Sequence, residues 1–211
     1  MNSMEHGWAV GAFQAWGCAV GPYLIGCFAT GYYLVRARTG QDIREIGSGS
    51  SGARNVGRVL GGRGFGLTLL GDLAKGALAV WAARRFTESN LLAAVALLSV
   101  VAGHLWPVTL RWRGGKGVAT SLGALVVYDA HLALAYFGCA LFALALVRKI
   151  TPAGMAAYLC LPVVSYWLHR HLAEASMLAM LAGMVIFAHR QNLRGTDSIS
   201  GSPVNPKAPK P

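Results

Sequence analysis

The chain has 211 residues, of which 55% are hydrophobic and 13% charged, and its mean hydropathy is +0.47. That balance excludes an ordinary soluble domain, in which about a quarter of the residues carry charge. The formal charge of +11 does not point to nucleic acid, because the cations gather at the ends of apolar runs and form no basic face. Cys18, Cys27, Cys139 and Cys160 all lie in apolar stretches without a CxxC pair, so they read as small core residues, not as a disulfide framework or a zinc site.

In chain order, the first apolar run covers 13–35 and is preceded by Glu5 and by no Lys or Arg. A cleavable signal would begin with a basic stretch, so this run is expected to stay as a helix. Further runs cover 65–83, 91–110, 118–147, 151–168 and 172–188, most of them near the ~20 residues a membrane-crossing helix needs. The 30 residues of 118–147 would make a helix of about 45 Å against a hydrocarbon core of about 30 Å. Asp129 and His131 stand in its middle, and a break there gives two short helices.

Cytoplasmic loops gather Lys and Arg, which decides between the two arrangements. With the break and an external N-terminus, fifteen cations fall inside and three outside; with an unbroken run the split is ten to eight. The sequence therefore reads as an all-α polytopic membrane protein with seven transmembrane helices, N-terminus outside and C-terminus cytoplasmic. Residues 1–194 form the membrane domain, and 195–211, rich in Pro, Ser and Gly, form a flexible cytoplasmic tail.

Three polar segments share the cytoplasmic side in this topology. The first reads DIREIGSGSSGARNVGRVLGGRGFG, and residues 47–66 hold eight glycines and three arginines. Glycine lets backbone amides approach an anion closely, and arginine adds a planar fork for phosphate. The same composition also describes a flexible loop attracted to anionic lipid. The second segment, RWRGGKGVAT, is not a Walker A loop, because Gly117 follows Lys116 where Ser or Thr would hold magnesium, and no strand precedes it. It does place Lys116 and several amides at a helix start, where the macrodipole favours an anion; as an isolated loop it suits a positive-inside anchor equally well. The third segment begins where the last helix ends, with His189 close to Asn192.

Within the second helix, Asp72 and Lys75 lie three residues apart on one face. Each intramembrane charge costs roughly 2.5 to 3.5 kcal/mol on insertion scales, so the two are expected to pair. Asp129 and His131 are placed at one external turn and His169 and His171 at another, with no chemistry assigned. His104, shortly before Pro107, is open between structural hydrogen bonding and support of a site. The residues describe two anion-binding segments, one imidazole and one amide at a water–lipid boundary, with no Cys–His pair, Ser–His–Asp triad or metal cluster. They point to a phosphorylated amphiphile at the cytoplasmic leaflet.

The motifs together resemble the bacterial membrane glycerol-3-phosphate acyltransferases that use acyl phosphate, the PlsY family. GSGSSGARNVGR is similar to that family's first cytoplasmic motif, GHLWPVTLRWRGGKGVATSLG closely resembles its second, HRQN resembles the start of its third, and GDLAKG in the second helix also fits. The resemblance implies a seven-helix fold with an external N-terminus, in a bacterial cytoplasmic (inner) membrane. It implies transfer of a fatty acyl group from acyl phosphate to the 1-hydroxyl of glycerol 3-phosphate, giving lysophosphatidic acid and phosphate for phospholipid synthesis. Acyl phosphate, glycerol 3-phosphate and membrane lipids are the implied partners, with no nucleic acid, metal or cofactor.

Carried over by position, the resemblance gives catalytic roles to Ser48, Arg58, Lys116, His189 and Asn192. Substrate binding falls to Gly49, Gly52, Arg54, Asn55, Gly114, Gly115, Gly117 and Thr151, the last standing where the family has a serine. Lys116 and Arg58 are expected to clamp phosphate, and the role of His189, as base or as positioning group, stays open. The chain departs from the family with Ser50 and Arg54 where Asn and Thr are usual. It also has a shortened third motif in which Arg194 and Asp197 are the nearest counterparts of an Arg and a Glu. The alternatives are a non-catalytic relative that binds phosphorylated lipid and an anionic-solute transporter. A transporter would line its helices with polar residues through the full depth, whereas here the polarity gathers on one side.

Overall fold

The computed structural model describes residues 3–190. Among these there are eight α-helices and no strand: α1 (Ser3–Gly26), α2 (Thr30–Thr39), α3 (Ala53–Arg84), α4 (Asn90–Leu105), α5 (Val118–Tyr128), α6 (Ala130–Val147), α7 (Ile150–His169) and α8 (Leu172–Ala188). Short 3₁₀ turns at Ile43–Glu45 and Val108–Leu110 shape the loops that follow α2 and α4. With α1 and α2 taken as one interrupted segment, the seven-helix order expected from the sequence is present. Five segments are long and apolar enough to cross a membrane, among them Gly11–Thr39, whereas α5 and α8 are shorter. At 11 residues, α5 rises only about 16 Å, roughly half of a hydrocarbon core.

The long apolar run breaks where its charges stand. Asp129 accepts the His131 N–H at 2.7 Å and the Leu132 N–H at 3.1 Å, so its carboxylate caps α6. The glycine-rich segment corrects an expectation, because α3 starts at residue 53 and not near 65, and much of the expected loop is helical. The helix is bent once on the way, at Gly61, with φ +68° and ψ −165°. Only glycine occupies that region without large strain.

Another break, between α1 and α2, exposes carbonyls within an apolar span, and Lys75 of α3 satisfies them. Its Nζ donates to the Phe28 carbonyl at 2.7 Å and the Gly26 carbonyl at 3.2 Å, and it pairs with Asp72 Oδ1 at 3.1 Å. The expected Asp72–Lys75 pair is therefore present and buried, and Lys75 also caps a helix end whose dipole favours a cation.

The core gathers around α4, with Ala93, Ala96, Leu97, Val100 and Val101 fully buried. Small residues bring the backbones together: a Cβ added at Gly26 would lie 2.2 Å from the Val100 carbonyl oxygen, and one at Gly76 would lie 2.0 Å from that of Thr120. By contrast α6 leaves Leu134, Phe137, Leu141, Phe142 and Leu146 exposed, the pattern of a helix solvated by lipid chains. Farthest from the glycine-rich loops, the two turns holding Asp129 and His169 meet. His169 Nε2 lies 2.9 Å from Asp129 Oδ2, and its Nδ1 lies 2.9 Å from Glu174 Oε2.

Candidate active site

Three loop regions converge at the end of the bundle where α3, α5 and α7 begin and α8 ends. The first loop is organised by Asn55, buried in the first turn of α3. Its Nδ2 donates to the carbonyls of Ile46, Ser50 and Ile43 at 2.9, 3.0 and 3.3 Å, and its Oδ1 accepts the Ser48 N–H at 3.1 Å. The amide side chain is thus committed to the loop backbone and fixes the turn that presents Ser48. Ser50, a departure from the family pattern, accepts the Gly52 N–H at 3.2 Å and is buried in the same turn. Gly49 follows Ser48 with φ +67°. A Cβ added at Gly47 would lie 3.9 Å from Arg58 Nη1, which puts that guanidinium beside the loop tip.

The first loop is laced to the second. Arg44 Nη1 donates to the Leu110 carbonyl at 2.7 Å, Arg113 Nη2 to the Arg44 carbonyl at 3.4 Å, and the Ser51 N–H to the Gly114 carbonyl at 3.4 Å. Arg44 is held in turn by Asp42, whose carboxylate takes Nε at 2.9 Å and Nη2 at 2.5 Å. Those hydrogen bonds hold the Asp42 carboxyl below its ordinary value and raise Arg44.

The second loop ends at Gly117, whose φ of +85° and close contact with Leu105 exclude a side chain. The preceding residue, Lys116, is half-buried, immediately before the amides that open α5. From Gly117 a Cβ would also reach within 3.7 Å of Val185 in α8. The Val185 carbonyl lies 2.9 Å from Nδ1 of His189, itself buried at the end of α8. A carbonyl cannot donate, so Nδ1 carries a proton in this contact.

On the far side of the first loop, Arg54 Nη1 donates to Thr151 Oγ1 at 3.1 Å, joining the starts of α3 and α7. Arg54, Arg58, Gly57, Gly61, Gly62 and Phe65 line an open groove of about 370 Å³. Of the residues singled out in the sequence, Ser48, Gly49, Gly52, Arg54, Asn55 and Arg58 therefore share one loop and helix start. Gly114, Gly115, Lys116 and Gly117 are tied to it through Ser51, and Thr151 through Arg54. His189 meets the second loop through Val185. Asn192, Arg194, Asp197 and the tail 195–211 lie outside the described residues. Sequence reasoning missed Arg44 as the tether and Lys75 as a helix cap. The acid–base spacing of Asp42 and Arg44 was a usable signal; nothing local announced that Leu110 would be the third partner.

This arrangement gathers arginines, a lysine, backbone amides and an imidazole on linked loops at one end of the bundle, groups whose chemistry suits anions. The sequence matches the glycerol-3-phosphate acyltransferase family over residues 16–196. It is 47% identical over 175 residues to Glycerol-3-phosphate acyltransferase 1 of Desulfitobacterium hafniense, covering 83% of this chain and 87% of that one. It is 37% identical over 181 residues to Glycerol-3-phosphate acyltransferase of Clostridioides difficile, covering 83% and 88%. A crystal structure of PlsY, an integral membrane glycerol 3-phosphate acyltransferase, in its glycerol 3-phosphate form superposes with a TM-score of 0.77 at 28% identity, covering 86% of this chain and 91% of that one. The lysophosphatidic acid form of PlsY superposes with a TM-score of 0.74 at 27% identity over the same shares. By sequence and by fold, the chain belongs to the glycerol-3-phosphate acyltransferase family.

Proposed function

We propose that this membrane acyltransferase moves a fatty acyl group from acyl phosphate to the 1-hydroxyl of glycerol 3-phosphate, releasing lysophosphatidic acid and inorganic phosphate. The observation that carries the reading is the lacing of two cationic, glycine-rich loops to each other through Arg44–Leu110 and Ser51–Gly114. Both substrates bear phosphate, and two repelling anions must be held together for the hydroxyl to reach the carbonyl. Orientation of that kind lowers a barrier by converting an encounter into an internal step.

The hydroxyl oxygen bonds to the acyl carbon, the carbon–oxygen bond to phosphate breaks, and phosphate leaves with the bonding pair. Arg58 and Lys116 hold the phosphates, and the Gly117 amide at the start of α5 faces developing negative charge, whereas the N–H groups of Gly114 and Gly115 end on the Leu105 and His104 carbonyls and shape the loop instead. The hydroxyl proton goes to His189 Nε2 or to a phosphate oxygen, and the pH–rate profile of His189→Asn separates the two: loss of the acid-side limb, where protonation would disable a base, identifies His189. Ser48 and Thr151 supply hydroxyls at the rim, and Asn192 an amide after α8. The fifteen-to-three distribution of cations supports seven crossings with the N-terminus outside and the loops facing the cytoplasm, and membership of a bacterial membrane acyltransferase family supports a location in the bacterial inner membrane.

The test is phosphate release from palmitoyl phosphate by the purified protein, with and without glycerol 3-phosphate, while lysophosphatidic acid is followed. Acceptor-dependent release with equal product is expected. Release without acylated acceptor would refute the acceptor, and no release from folded protein would refute the donor.

A further inference from the structure

A buried polar cluster lies beneath the Gly-Lys loop, and the reaction as drawn does not use it. His104, near the end of α4 and 4% exposed, lies directly under Gly115. A Cβ added at Gly115 would stand 2.1 Å from His104 Nε2 and 2.6 Å from its Cε1. The His104 carbonyl accepts the Gly115 N–H at 3.0 Å. On the ring's other side, Nδ1 stands 3.7 Å from Asp72 Oδ1, just beyond hydrogen-bond distance, and finds no hydrogen-bond partner among the described residues. Asp72 is anchored by Lys75 at 3.1 Å and by the Thr30 hydroxyl at 3.3 Å. One residue beyond Gly115 comes Lys116.

We propose that His104 is a positioning residue: its imidazole, lying beside Asp72, is the floor on which Gly115 rests, and it holds Lys116 where its ammonium meets substrate phosphate. The inference rests on the assignment of the Gly-Lys loop to phosphate binding. Glycine at 115 is then explained by the ring below it, because any side chain would displace either the imidazole or the loop. The ring links the substrate loop to the charged pair inside the bundle, so the loop takes its position from the membrane-embedded core.

The experiment compares His104→Ala, His104→Gln, Gly115→Ala, the double variant His104→Ala with Gly115→Ala, and Lys116→Ala. It measures KM for glycerol 3-phosphate, kcat, inhibition by inorganic phosphate and thermal unfolding in detergent. His104→Ala should raise the phosphate inhibition constant and KM on the order of tenfold, with a smaller effect on kcat, the signature of lost binding and not of lost chemistry. His104→Gln, which keeps a polar group over Asp72, should recover part of that loss and carries the test if the alanine variant fails to fold. Gly115→Ala should be as impaired as His104→Ala. The double variant should be no worse than either single, because removing the ring makes room for the methyl group. Additive losses in the double variant, or unchanged KM and phosphate inhibition in both His104 variants, would overturn the proposal. Lys116→Ala tests the premise separately: unchanged phosphate affinity there defeats the loop assignment, whereas weakened affinity there with normal His104 variants defeats the positioning role alone.

Discussion

Replacing Lys75 with Met would remove the charge that closes the break between α1 and α2 while keeping a long, flexible, apolar side chain. Three contacts disappear, to the Phe28 carbonyl at 2.7 Å, Asp72 at 3.1 Å and the Gly26 carbonyl at 3.2 Å, and Asp72 is left buried with the Thr30 hydroxyl as its hydrogen-bond partner among the described residues. Breaking one side of a buried ion pair costs about 3–5 kcal/mol. The lost carbonyl hydrogen bonds are part of the same network and do not add in full. For a chain of this size each kcal/mol lowers the midpoint by about 2–4 °C, so thermal unfolding in detergent should shift down by roughly 10 °C. Adding Asp72→Asn to Lys75→Met removes the orphaned carboxylate and should restore part of the loss. A midpoint for Lys75→Met within about 1 °C of the parent, against the roughly 10 °C expected, or a double variant as unstable as the single one, would refute the account of Lys75 as both counter-ion and helix cap.

Three further outcomes follow from the site and from the opposite end of the bundle. Arg54→Thr removes an exposed cation beside Arg58 and its bond to Thr151. KM for one phosphorylated substrate should rise about two- to tenfold with a weaker dependence on salt, since exposed charge is screened, and unchanged KM for both substrates would remove Arg54 from the site. Arg44 lowers the Asp42 carboxyl, so the tether's stabilisation is complete above the unfolded value near 4 and is lost as pH falls through the lower folded value. Activity should therefore decline reversibly on the acid side, and Asp42→Asn should show weakened substrate binding already at neutral pH, measured as KM. His169→Leu separates Asp129 from Glu174 at a cost of about 1–3 kcal/mol. Unfolding should move down while KM stays at its parent value, because the clamp lies away from the cleft; a change in KM would contradict that separation.

The membrane class, the seven-segment order and the break at Asp129 were legible in the chain, because hydropathy and the cost of burying charge act locally and leave a local record. The two cationic loops were legible as loops for the same reason: Gly-rich runs with Arg and Lys stand out from the apolar segments by composition. The extent of α3 was not, since eight glycines in 47–66 argue against a helix by propensity. Packing overrides that preference, and only Gly61 departs from helical angles. Which residue touches which was also beyond the sequence. Asn55 looks like a ligand group until its donors are seen to end on Ile43, Ile46 and Ser50, and His104 gains meaning only from Gly115 above it and Asp72 beside it. Such pairings join residues far apart in the chain, so they are set by how the helices pack and carry no signature in the local order of amino acids.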